Sequence, residues 1–128
     1  MAELRTAVPC FPVADISATI QWYEEQLGFI GDPFPPNCEP YVFAILRRDN
    51  VEIFLQRLED YQKPDLYNSR PGGVWDAYFR IEGIRDLYES VREEATIVQP
   101  LRQQPYGNWE FEVKDPNGYI LVFSEEGE

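Results

Sequence analysis

The chain has 128 residues, of which 44% are hydrophobic and 27% charged, and this composition indicates one globular domain with a core of its own. Its 23 acidic residues outnumber its 11 basic residues and give a formal net charge of −12. Nucleic-acid binding requires clustered Lys and Arg that displace counterions from phosphate, so this charge excludes that class. No apolar run is long enough to cross a membrane and no export signal is present, which predicts a cytoplasmic protein without a membrane partner.

The sequence contains no histidine. Ser-His-Asp and Cys-His enzymes and HExxH zinc sites all depend on histidine, so these function classes are excluded. The chain also lacks a P-loop and a GxGxxG motif. Its acidity has two interpretations, attraction of a cationic ligand or simple solubility.

The hydrophobic pattern predicts the same order of elements twice along the chain. The first half is predicted to form a strand, a helix and three further strands, at 7–13, 16–27, 29–34, 41–46 and 51–56. The polar, Pro- and Gly-containing stretch 58–73 predicts a loop. The second half is predicted to repeat the order at 75–81, 84–91, 97–101, 109–114 and 119–124.

The first predicted helix has a signal at each end. Asp15 is suited to the N-cap, and Gly28 is placed to end the helix as its C′ residue. Between them, apolar residues recur every three or four positions, at Ile16, Ile20, Tyr23 and Leu27.

A constant offset of 68 residues aligns the two halves in a strand, the helix and the hairpin. The aligned pairs include Phe11 with Phe79, Ile16 with Ile84, Phe43 with Phe111, and Leu55 with Phe123. This internal repeat predicts an α+β fold of two tandem βαβββ modules. We expect a single domain, with module 1 at about 5–58, a linker at about 59–73 and module 2 at about 74–126.

Alternation along the strands predicts two faces for each sheet. One face lies under the helix, with Phe11, Val13, Ile53, Leu55, Phe79, Ile81, Leu121 and Phe123. A two-residue turn at 49–50 places Phe43 and Ile45 on the other face. A four-residue turn at 115–118 likewise places Trp109, Phe111 and Val113 on that face. The alternate residues Glu110 and Glu112 then point outward, to solvent.

Both faces away from the helices are thus predicted to be apolar and rich in aromatic residues. An apolar sheet face that is exposed to water attracts a binding partner. One arrangement that covers both faces is a pair of curved sheets that face each other and enclose a groove. Two alternatives remain open at this point. The aromatic residues are either a second, filled core layer or the interface of a scaffold domain.

Three segments carry a family resemblance. Residues 13–16, 22–29 and 115–121 read VADI, WYEEQLGF and DPNGYIL. They resemble signatures of the vicinal oxygen chelate superfamily, which includes glyoxalase I, extradiol dioxygenases, fosfomycin-resistance enzymes and bleomycin-resistance proteins. The resemblance covers essentially the whole chain and implies two βαβββ modules, each a curved mixed sheet with one helix, that form a groove.

The resemblance also implies where a metal would bind. Family enzymes hold a divalent metal at positions that correspond here to Val8, Phe54, Asp76 and Val122. Three of these are hydrocarbon side chains without a lone pair, so we expect no metal and no cofactor. The chain is therefore most similar to the metal-free bleomycin-resistance branch, whose members are acidic homodimers that sequester a bulky cationic aromatic drug.

The resulting hypothesis is a metal-free, homodimeric protein that binds a cationic or aromatic small molecule in an acidic, aromatic-lined groove. Asp76 is expected to pair with a ligand cation, unless it is solvated or paired with Arg80, and aromatic rings are expected to stack on the ligand. The expected ligand-binding residues are Phe43, Phe54, Trp75, Asp76, Tyr78, Tyr106, Trp109 and Phe111. No catalytic residue is assigned. The alternative is an enzyme of the same superfamily, either a divergent metal-dependent lyase or dioxygenase or a metal-free catalyst that uses Asp76 or Glu52.

Overall fold

The structure is a computed structural model that describes residues 1–127. The chain divides into two compact units, Met1–Tyr61 and Gln62–Glu128. Each unit has one α-helix and one four-stranded mixed sheet, which confirms the predicted α+β fold of two tandem βαβββ modules. Among the described residues, no helix combines the length and the apolar character needed to cross a membrane.

The first unit contains β1 (Cys10–Val13), α1 (Ile16–Leu27), β2 (Ile30–Phe34), β3 (Phe43–Arg48) and β4 (Val51–Arg57). Its strand order is β1-β4-β3-β2, and β1 and β4 are parallel. Both helix signals are confirmed. The Asp15 carboxylate accepts a hydrogen bond from the Ala18 N–H at 3.0 Å, and Gly28 has the left-handed φ of 68° that ends α1.

The second unit contains a short 3₁₀ helix (Tyr67–Ser69), β5 (Ala77–Arg80), α2 (Ile84–Val91), β6 (Thr96–Gln103), β7 (Trp109–Lys114) and β8 (Ile120–Glu125). The strand order β5-β8-β7-β6 is the equivalent of the order in the first unit, and β5 and β8 are parallel. The 3₁₀ helix lies inside the stretch that was predicted to be a loop. The repeat is therefore present in topology as well as in sequence.

The first hairpin has the predicted register. Arg48 pairs with Val51 around a two-residue turn in which Asp49 has a φ of 51°. This turn places Phe43 and Ile45 on one face with Phe54, while Ala44, Leu46, Ile53 and Leu55 are fully buried on the face that packs against α1. The face predicted for Phe43 and Ile45 is confirmed.

The second hairpin has a different register. Lys114 pairs with Ile120, so five residues separate the paired positions, and an odd number moves β7 by one residue relative to β3. Phe111 consequently pairs with Phe123, and its ring lies 5.0 Å from that of Tyr88 on α2. The guanidinium of Arg85, also on α2, lies 4.6 Å from the centre of the Trp109 ring.

The placement of Trp109, Phe111 and Val113 on the face away from the helix is therefore wrong. That face, called the outer face below, is formed by Tyr78, Arg80, Glu110, Glu112, Val122 and Ser124. The prediction that Glu110 and Glu112 point into solvent is also wrong, because their exposed fractions are 1% and 5%. The shift by one residue brings two carboxylates to positions that Phe43 and Ile45 occupy in the first unit.

Candidate functional site

The centre of the candidate site is the pair of buried carboxylates on β7. Glu110 and Glu112 are two residues apart and lie opposite Ser124 and Val122 of β8 on the outer face. Burial of a carboxylate is costly unless hydrogen bonds stabilise it. In this site the stabilising donors are aromatic side chains.

Two tyrosines bind Glu110. The Tyr106 hydroxyl donates to Oε1 at 2.6 Å, and the Tyr78 hydroxyl donates to Oε2. Tyr78 lies on β5, whereas Tyr106 lies in the β6–β7 turn, which is closed by the hydrogen bond from the Gln104 N–H to the Asn108 carbonyl. Both oxygens of Glu110 thus accept a phenol hydroxyl.

Two residues from the segment before β5 bind Glu112. The Tyr67 hydroxyl donates to Oε1 at 2.6 Å, and the Trp75 indole N–H also donates to this carboxylate. Gly73 makes the position of Tyr67 possible, because a Cβ there would lie 2.4 Å from a Tyr67 ring carbon. The Tyr67 ring, which belongs to the 3₁₀ helix, therefore reaches the outer face. A larger residue at position 73 would clash with this ring.

Four aromatic residues accordingly direct their polar atoms to two carboxylates. We call them the aromatic set: Tyr67, Trp75, Tyr78 and Tyr106. The Trp75 and Tyr78 rings are 5.6 Å apart and inclined by 34°. Trp75 and Tyr78 are 38% exposed and Tyr106 is 61% exposed, so ring surface is available to a ligand although the carboxylates behind are buried.

The site also shifts proton affinities. Burial raises the pKa of Glu112 above its ordinary value, and the charge of Glu110 adds to this, while the hydrogen bond from Tyr67 opposes it. Burial raises the pKa values of Tyr67 and Tyr106, and donation to a carboxylate raises both further. The hydroxyls of Tyr67 and Tyr106 therefore remain protonated donors throughout the physiological range of pH.

Asp76 has a cationic partner within the chain. Its Oδ2 lies 3.2 Å from Nζ of Lys63 and accepts the Ile120 N–H at 2.8 Å. The Lys63 side chain is only 9% exposed, and Nζ lies 5.5 Å from the centre of the Tyr119 ring. The partner is thus Lys63, in place of the Arg80 considered from the sequence.

The outward-facing aromatic residues of the first unit form a separate pair. The rings of Phe43 and Phe54 meet edge to face at 5.3 Å. On the same face Arg47 binds both Asp32 and Glu52, which leaves an aromatic surface with an ion-pair cluster beside it.

Of the eight expected ligand-binding residues, Trp75, Tyr78 and Tyr106 come together around the carboxylates. Asp76 lies just before β5 in the same unit, and Phe43 and Phe54 lie in the first unit. Trp109 and Phe111 lie on the α2 side of their sheet. Sequence reasoning missed Tyr67, Glu110 and Glu112. The alternation in β7 marked the two glutamates as sharing a face, but Tyr67 lies in a segment without periodicity.

The metal positions implied by the resemblance do not form a suitable set of donors. Val8, Phe54 and Val122 have no lone pair to offer, and Asp76 already binds Lys63 and a backbone N–H. Within residues 1–127, no three side chains from His, Cys, Asp and Glu are grouped as metal ligands require. The residues at these positions do not fit a divalent ion.

Two mixed sheets, each with one helix and related by a sequence repeat, define the paired βαβββ class of α+β proteins. The chain is 26% identical to the bleomycin resistance protein of Geobacillus stearothermophilus over 132 aligned positions, which cover 94% of this chain and 96% of the relative. This likeness over nearly the full length of both chains supports the resemblance to the vicinal oxygen chelate superfamily that the sequence signatures indicated. No family model matches the chain.

Solved structures share the fold across nearly the full length. A glyoxalase-related enzyme from Clostridium phytofermentans superposes with a TM-score of 0.75 at 21% identity, covering 98% of this chain and 97% of that one. The bleomycin-binding protein of Streptomyces verticillus, solved with copper(II)-bleomycin, superposes with a TM-score of 0.69 at 22% identity, covering 100% of both chains. At these identities the likeness concerns the fold.

Proposed function

We propose that the chain is a metal-free binding protein of the glyoxalase/bleomycin-resistance type that sequesters a cationic or aromatic small molecule. The observation that carries this proposal is the pair of buried carboxylates, Glu110 and Glu112, behind the exposed rings of the aromatic set. The names of the relatives, a bleomycin resistance protein and a bleomycin-binding protein, support the same class of ligand.

The physical basis is the combination of negative charge and aromatic surface. A cation over the face of a Trp or Tyr ring is attracted by the ring quadrupole, with about 0.5–2 kcal/mol per contact. The two buried carboxylates behind the rings add electrostatic attraction for a cation. The net charge of −12 raises the local concentration of cations around the whole molecule.

The proposal extends to the organisation of the protein. Module 1 at about 5–58, the linker at about 59–73 and module 2 at about 74–126 act as one domain, and the protein acts as a cytoplasmic homodimer. Phe43 and Phe54 of the first unit supply a second aromatic surface for stacking.

The experiment is a titration followed by tryptophan fluorescence, because Trp75 lies in the site. Bleomycin and a planar aromatic cation are the probes. We expect saturable quenching, and at least a tenfold loss of affinity in the Glu110→Gln, Glu112→Gln double variant. The control is the Glu89→Gln, Glu93→Gln double variant, which removes the same charge from exposed positions and keeps the affinity. If neither probe shows saturable binding, the proposal is contradicted.

One observation favours the alternative of a divergent enzyme. Glu112 has a raised pKa and lies on the same strand face as a second carboxylate, and such a pair can exchange a proton with a ligand when the hydrogen bonds from Tyr67 and Trp75 open. Mass spectrometry of the ligand after prolonged incubation separates the two functions. A binding protein returns the ligand unchanged, whereas an enzyme returns a product that disappears in Glu112→Gln.

A further inference from the structure

We infer that the site selects a quaternary ammonium group, which has no N–H bonds, over a primary ammonium group or a metal ion. The inference rests on the proposed function and specifies the chemistry of its ligand. Its basis is a division of roles between the two carboxylates and the aromatic set. The carboxylates hold the rings in place through hydrogen bonds, and the exposed ring faces form the surface that a ligand contacts.

The carboxylate oxygens are shielded from direct contact. Glu110 accepts hydroxyl hydrogens on both oxygens, and Glu112 accepts from Tyr67 and from the Trp75 indole. Both side chains are buried, so a ligand reaches them only if these hydrogen bonds break. The negative charge therefore acts on a ligand through the rings, at a distance.

This arrangement distinguishes between kinds of cation. A primary ammonium or a metal ion that leaves water needs oxygen acceptors in exchange, and burial without them is costly. A quaternary ammonium has no N–H hydrogen to donate, is weakly hydrated, and is the type of cation that aromatic cages bind. A surface of ring faces over shielded negative charge favours that cation over the others.

Glu110 and Glu112 act here as positioning residues. Each hydrogen bond from a phenol or an indole holds a ring in one orientation, and the Trp75 and Tyr78 rings lie side by side, with centroids 5.6 Å apart and planes inclined by 34°. Val122, which is fully buried, lies opposite Glu112 on the outer face. Methyl groups on a ligand nitrogen fit such a surface better than N–H groups do.

The test compares two probes that differ only at nitrogen, benzyltrimethylammonium and benzylammonium, by titration calorimetry on the full chain. We expect the trimethylated probe to bind at least tenfold more tightly. Equal affinity, or the reverse order, overturns the inference. If bleomycin or a planar aromatic cation binds and benzyltrimethylammonium does not, the inference fails and the proposed function stands. If none of the probes binds, both fail.

Variants of Tyr78 and Tyr106 identify the ring faces that are involved. Tyr78→Leu removes a ring and is expected to lower the affinity for benzyltrimethylammonium at least tenfold. Tyr78→Phe keeps the ring but loses the hydrogen bond to Glu110, and its loss of affinity is expected to be smaller than that of Tyr78→Leu. Tyr106→Leu repeats the test at the most exposed ring, and Tyr61→Leu, in the first unit, serves as the control. Unchanged affinity in both leucine variants of the site overturns the inference.

Discussion

Phe111 faces Phe123 across β7 and β8, and their rings stack with centroids 5.3 Å apart. This pairing fixes the faces of the whole hairpin, because a shift by one residue would bring every side chain of β7 to the other side of the sheet. It is the reason that Glu110 and Glu112 lie on the outer face. The candidate site is thus a consequence of the hairpin register.

Because of the hairpin register, replacement by alanine is expected to lower the free energy of unfolding by different amounts at two phenylalanines that the 68-residue repeat aligns. Phe111 is fully buried, so Phe111→Ala is expected to lower the free energy of unfolding by about 3–5 kcal/mol. Phe43 is only partly buried on the outward side of its sheet, so Phe43→Ala is expected to cost about 1–2 kcal/mol. Urea denaturation measures both. Equal losses in the two variants would argue for the register expected from the sequence.

Glu112 makes stability depend on pH in a defined direction. Its folded-state pKa is raised, so its favourable contribution is complete below the ordinary pKa of about 4.5 and is lost as pH rises through the folded-state value. Glu112→Gln cannot ionise, and so its stability relative to the natural chain is expected to increase between pH 4 and pH 8. Thermal unfolding of both proteins across this range measures the difference. A decrease over the range would contradict the raised pKa.

Tyr67 and Tyr106 are expected to ionise at a higher pH than an ordinary tyrosine, because their pKa values are raised. Burial and donation to Glu110 raise the pKa of Tyr106, so folding stability is expected to fall as pH rises above 10, the ordinary value. Absorbance at alkaline pH follows the eight tyrosines of the chain. In Tyr106→Phe, the fraction that ionises last should be smaller by one tyrosine. If the tyrosine missing from the Tyr106→Phe titration is instead one of those that ionise first, the hydrogen bond to Glu110 is excluded.

The Lys63–Asp76 pair is expected to stabilise the start of β5. Lys63→Met leaves a partly buried carboxylate without its cation and is expected to cost about 1–3 kcal/mol. Asp76→Asn also weakens the acceptor for the Ile120 N–H. A double-mutant cycle isolates the pair, and the double variant should be more stable than the sum of the single losses implies. Strict additivity would show that the two side chains do not interact.

Much of the fold follows from local signals in the sequence. The N-cap at Asp15, the C′ glycine at Gly28 and the turn at 49–50 each depend on adjacent residues, and the structure has all three. The register of β7 depends on how many residues the second turn leaves unpaired, which the motif at 115–118 does not determine. A change of one residue in that number moved Trp109 and Phe111 to the helix side and Glu110 and Glu112 to the outer face.

The partners of the site were beyond sequence reasoning for a related reason. Tyr67 reaches Glu112 from 45 residues away, and Lys63 reaches Asp76, through a segment without hydrophobic periodicity. Such contacts depend on tertiary packing, which neither propensity nor alternation reports. By contrast, the sequence alone suggested Tyr78, by alternation along its strand, and Trp75 and Tyr106, as aromatic residues at the rim.

The most direct measurement is an NMR titration that observes the three tryptophan indole N–H groups, those of Trp22, Trp75 and Trp109. Trp75 donates its indole hydrogen to Glu112, whereas Trp109 lies under Arg85 and Trp22 belongs to α1. Addition of an aromatic cation is expected to shift the Trp75 resonance in a saturable way and to leave the other two nearly unchanged. Saturable binding that shifts Trp109 or Trp22 and spares Trp75 would contradict a ligand site at the buried carboxylates.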